Sequence, residues 1–75
     1  MKKYILCKPY PDIGQTIFIA GHPKFPAFVH SPEDANQFDT AEDARLFRDM
    51  MEHQLGGKEA YRIHEYENGR LTPLE

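Results

Sequence analysis

Several things are scarce in this chain of 75 residues, and each scarcity removes a class of protein. There is one cysteine, Cys7, which has no partner for an internal disulfide, so a stapled secreted scaffold is excluded and a reducing, cytoplasmic setting is expected. No stretch approaches the roughly 20 apolar residues that cross a bilayer. The start, Met1-Lys2-Lys3 followed by Tyr4-Ile5-Leu6-Cys7, has the charge of a secretory leader. Its apolar run stops at Lys8-Pro9, short of the roughly 7 to 15 residues a leader needs. Basic charge is scarce too: nine Lys and Arg stand against twelve Asp and Glu, a net charge of −3. That gives no footprint for gripping a phosphate backbone and disfavours nucleic-acid binding.

Metal and catalytic signatures are missing as well. The histidines His22, His30, His53 and His64 lie on different elements, and neither C-x-x-C nor H-x-x-x-H occurs, so no metal ion and no cofactor are expected. Cys7 and His64 could form a nucleophile and base if their strands pair, but no third orienting group or oxyanion hole is apparent. Cys7 reads better as a small buried hydrophobe, and the chain as no enzyme.

What is present is a short alternation of strand and turn signals around one helix. Apolar residues at 40% and charged residues at 28% are ordinary for a folded domain, and residues 1–75 read as one domain with a thin core. Tyr4-Ile5-Leu6-Cys7 and Thr16-Ile17-Phe18-Ile19-Ala20 make a hairpin across the turn-forming Pro9-Tyr10-Pro11-Asp12-Ile13-Gly14. A third strand is expected through Ala27-Phe28-Val29-His30, beginning after Pro26 or lying at an edge. Ser31-Pro32-Glu33-Asp34 has the chemistry of a brief helical turn, with Ala35 and Phe38 burying one side of it.

A helix is predicted over residues 40–55. Thr40 caps it, Glu42 and Asp43 favour its positive end, and Gly56-Gly57 ends it. Ala44, Phe47, Met51 and Leu55 form the stripe that faces the sheet. Tyr61 to Tyr66 alternates as a strand, with Tyr61, Ile63 and Glu65 on one face and Arg62, His64 and Tyr66 on the other. Asn68-Gly69 is a strong hairpin signal, so Leu71-Thr72 return as a short strand before Pro73; otherwise residues 70–75 fray. The fold class is α+β, a small antiparallel sheet in the order β-β-β-α-β, with a short final strand as an option and one helix on one face.

Two sets of residues stand out as candidate contacts. Leu46 and Met50, one turn apart and off the inner stripe, form an outer ridge with His53 nearby, suited to a protein partner or to a second copy of the chain. The alternative is a small dimeric nucleotide binder that sets Lys24, Arg62 and His64 against phosphate and the loop aromatics Tyr10 and Tyr66 against a base. The acids Glu33, Asp34, Asp39, Glu42 and Asp43 sit at helix starts, where the dipole accounts for them. They also make that end acidic enough to imitate nucleic acid toward a basic partner.

The order Ser31-Pro32-Glu33-Asp34-Ala35, then Phe38-Asp39-Thr40-Ala41-Glu42-Asp43-Ala44 and Phe47, followed by Tyr61-Arg62-Ile63, resembles small proteins of phages and prophages. In those, a hairpin precedes an acidic turn, a Phe-Asp/Ser-Thr step and a helix, and a closing strand follows. The matching positions cap and fill the core, so the resemblance implies the fold and carries no site residue across. The role it implies is an accessory protein of a mobile element, a group that includes inhibitors of host defence. Such inhibitors bind and occlude a protein or sequester a nucleotide.

Overall fold

Both faces of the central strand β1 (Lys3–Tyr10) are buried at its middle, where Ile5, Leu6 and Cys7 follow one another. Successive strand residues point to opposite faces, so such a run needs cover on both sides. The computed structural model, which describes residues 1–54 and 61–74, supplies it. β1, β2 (Gln15–His22), β3 (Phe25–Val29), β4 (Arg62–Glu67) and β5 (Arg70–Pro73) form one antiparallel sheet in the order β3-β2-β1-β4-β5. Helix α1 (Ala41–Gln54) packs on β1 and β4. This is the α+β class read from the sequence. The expected helix residue Leu55 and the Gly56-Gly57 cap lie outside the described residues.

The helix-side core consists of Leu6, Ile19, Ala44, Phe47, Met51, Tyr61 and Ile63, with Tyr4 and Phe38 packed against it. The inner stripe of α1 is therefore Ala44, Phe47 and Met51, as its spacing predicts. Thr40 Oγ1 accepts the Asp43 amide at 3.0 Å, which fixes the start of α1. The opposite face holds a second cluster of Ile5, Cys7, Phe18 and Ala35, flanked by Val29, Tyr66 and Leu71.

Strand boundaries differ from the sequence reading in informative ways. Pro9 and Tyr10, read as loop, extend β1 opposite Thr16 and Gln15. β4 pairs only with Lys3 to Cys7, so on that side β1 is locally an edge at Pro9 and the missing N–H costs no ladder bond. A 3-10 turn, Pro11–Ile13, closes on Gly14 at φ 65° and reverses the chain. At the other end Asn68 and Gly69 both have positive φ, as a two-residue hairpin turn requires. Of the two expectations for the tail, the return strand is the one observed, because β5 pairs with β4 from Arg70 to Pro73.

A crossing of the sheet was not anticipated. β1 and β2 pair only from Cys7 and Phe18 outward to Tyr10 and Gln15. Beyond that point residues 36–38 lie between them. The Asn36 amide donates to Ile19 O at 3.0 Å, and Tyr4 and Phe38 exchange backbone hydrogen bonds of 2.9 and 2.8 Å. Ala35 thus belongs to one face and Phe38 to the other, which corrects the expectation that both bury one side of a turn. Three residues of extended chain span what a helical turn could not.

Candidate functional site

The outer side of α1 carries the first candidate. The helix rotates about 100° per residue, so once Ala44, Phe47 and Met51 face the sheet, Leu46 and Met50 must face away. They are 60% and 45% exposed, and His53 is exposed on the same side. The preceding segment bends alongside them. Phe38 stacks at a tilt on Phe47, with ring centroids 5.3 Å apart, and the two side chains floor a groove of about 390 Å³ that Leu46 and Met50 border. Gln37, Asp39 and Asp43 complete its lining, so its polar rim is acidic. Lys3 hydrogen-bonds to Asp39 and holds that carboxyl below the usual carboxylate range. The sequence isolates Leu46 and Met50 as a ridge; the fold adds Phe38 and makes it the wall of a groove.

The second candidate is the outward row of β4. Arg62, His64 and Tyr66 share the face opposite α1, as their alternation requires. His64 Nδ1 lies 3.2 Å from Cys7 Sγ, so the strands do bring these two together. Chemistry between them is weak. Burial pushes the Cys7 thiol up, with the nearby Arg62 charge pulling it partly back, and burial followed by Arg62 pushes His64 down. A thiolate-imidazolium pair needs both shifts to run the other way. Near neutral pH the pair is thiol and uncharged imidazole.

Tyr66 is held rather than free to stack. Its hydroxyl donates to Glu33 Oε1 at 2.9 Å. Glu33 also accepts from the Ser31 hydroxyl, and its own amide donates to Ser31 Oγ at 3.3 Å. The Ser31 hydroxyl first, then the backbone amide and Tyr66, hold the Glu33 carboxyl below its ordinary value. The same carboxylate raises the Tyr66 phenol. A fixed negative charge therefore sits beside the row that a nucleotide phosphate would approach.

The remaining residues of the nucleotide set are dispersed. Lys24 lies in the β2–β3 turn, on the far side of β1 from β4, where its amide donates to His22 Nδ1 at 3.1 Å. Tyr10 lies at the opposite end of β1 from the pairing of Lys3 with Tyr66, on the helix-bearing face. There the Lys8 ammonium lies 5.3 Å from the Tyr10 ring and 5.6 Å from the Tyr61 ring. No three of His, Cys, Asp and Glu among the described residues are placed to hold a metal ion, and no described helix is long and apolar enough to cross a membrane.

Sequence reasoning missed a third surface. Tyr10, Ile13, Ile17 and Phe28 line an apolar cavity of about 290 Å³ on the helix-bearing face. The signal was available in the alternation of β2, where Ile17 and Ile19 point the same way, but the sheet order that puts Ile17 beyond α1 is not legible in the sequence. Compared with known protein families, with curated proteins and with solved structures, the chain matches none.

Proposed function

We propose that this protein acts without catalysis, by binding and occluding a partner protein through the outer face of α1. One observation carries the reading: Leu46 and Met50 stand exposed beside a groove floored by Phe38 and Phe47. Apolar ridges that include methionine adapt to a protein surface. With Asp39 and Asp43 on the rim, and Glu42 exposed on the same end of the helix, the complementary surface is a basic one with an apolar side chain to seat in the groove. The neutral Cys7-His64 pair supports the absence of an acyl-transfer role. The resemblance to phage and prophage proteins supports an accessory inhibitor of a mobile element, and the single cysteine supports a cytoplasmic setting.

Photo-crosslinking in the source cell tests this. A photoreactive amino acid at position 46 or 50 is expected to capture one dominant protein, and the same probe at Thr16, exposed on the sheet, is not. Equal capture at all three positions, or none at 46 and 50, defeats the reading. The nucleotide alternative has its own check, since linear and cyclic nucleotides should then raise the melting temperature by mass action.

A further inference from the structure

The sheet ends in two unequal edges. β5 is four residues long and begins with Arg70. β3 is five residues, Phe25-Pro26-Ala27-Phe28-Val29, without a charge. Natural edge strands are commonly kept from pairing by charges, shortness or proline; β3 has only Pro26. Its side chains are the anomaly, because Phe25 is 80% and Phe28 53% exposed. Pairing with β2 sets Val29 opposite Phe18 and Phe28 opposite Ile19, so Phe25 and Val29 belong to one face and Phe28 to the helix-bearing face. Both sides of the edge are therefore apolar, and the cavity bounded by Ile13 and Ile17 adjoins Phe28.

From this we infer that β3 is a self-association edge, at which a second copy of the chain adds its own β3 in antiparallel pairing about a two-fold axis. The strand is self-complementary. With Ala27 facing Ala27 of the second copy, Phe25 meets Val29 and Pro26 meets Phe28, and no charged residue enters the register. Pro26 has no N–H, so the ladder is short and the aromatic side chains carry most of the contact.

Charge separates this edge from α1. The exposed face of α1 carries Glu42, Asp43 and Asp49, whereas β3 presents no charge to a second copy. Area sets the strength. A standard interface takes roughly a tenth of a small protein's surface, about 500 Å² of the 4944 Å² here. Phe25 and Phe28 expose on the order of 250 Å² between them, at roughly 200 Å² per ring side chain, and the exposed Ile13 and Tyr10 beside the cavity add to that. The total lies at the small end of specific interfaces, as suits a weak, reversible dimer.

Sedimentation of the full chain from about 1 µM to about 1 mM tests the inference. The expected result is a monomer–dimer equilibrium whose dissociation constant rises at least about tenfold in Phe28→Lys and stays unchanged in Leu46→Glu. Phe25→Lys, on the other face of the strand, serves as a second variant should Phe28→Lys fail to fold. Amide exchange within β3 should slow with concentration in the wild type and not in the variant. A chain that stays monomeric throughout, a dimer dissolved by Leu46→Glu but not by either phenylalanine variant, or open-ended growth past the dimer overturns it.

Discussion

Asn36 grips the backbone of Gly21 from both sides. Its Nδ2 donates to Gly21 O at 2.8 Å and its Oδ1 accepts from Gly21 N at 3.2 Å. Gly21 itself stands at φ +88°, and a Cβ there would approach Phe25 O to 3.0 Å. The pair locks the crossing segment to the end of β2. Asn36→Ala removes both side-chain bonds and should cost about 1–3 kcal/mol, read as a lower urea midpoint with an unchanged slope. Asn36→Asp keeps the acceptor and loses the donor, so it should fall between alanine and wild type. Equal stability of all three would show that the backbone bonds alone hold the crossing.

The two sides of α1 should respond to mutation in opposite ways. Met51 is fully buried and Leu46 is 60% exposed. Met51→Ala is expected to destabilise by about 2–5 kcal/mol through lost contacts and a cavity. Leu46→Ser should stay within about 0.5 kcal/mol of wild type while weakening partner capture. Thermal unfolding of the two variants, run beside the crosslinking, separates a folding role from a binding one.

His64 makes stability depend on pH in a defined window. Its pKa is depressed in the fold, by burial first and Arg62 second, so below the unfolded value the unfolded chain binds the extra proton. Stability should therefore rise with pH between about 5 and 7 and level off above, around the ordinary histidine value. Urea midpoints across that range should show the slope in wild type and lose most of it in His64→Gln. Glu33 and Asp39 are shifted down, so their contribution disappears only at lower pH and does not obscure the window.

Cys7 should be unreactive. It is 2% exposed, and burial holds its thiol in the protonated form. Alkylation near neutral pH is expected to run at least about a hundredfold below a free thiol and to reach the free rate in denaturing urea. Rapid alkylation of the folded chain would reopen the case for a nucleophile.

Much of this fold was legible because local chemistry and tertiary need agree. Thr40 caps α1, Ser31 Oγ accepts the Glu33 amide, and Asn68-Gly69 turns the last hairpin, all as their residue types direct. The candidate groove was half legible. Leu46 and Met50 stand out by helical periodicity, but Phe38 joins them only because the chain crosses the sheet, and that crossing rests on hydrogen bonds between Asn36, Ile19 and Gly21 that no local pattern announces. The dispersal of Lys24 and Tyr10 from Arg62 and His64 was equally hidden, since it follows from strand order. Phe25 carries a similar lesson. Its 80% exposure follows from β3 occupying an edge, which strand order decides and the local sequence does not.

The segment between β1 and β2 also determines what kind of folding unit this is. Ala35 completes one cluster and Phe38 the other, three residues of chain apart, with Asn36 pinned between them. A chain that has sealed the far side of the sheet has already delivered the helix to the near side, and loosening either side pulls on the same stitch. The two layers should therefore melt as one cooperative transition, with no state in which α1 has left and the other side stays closed.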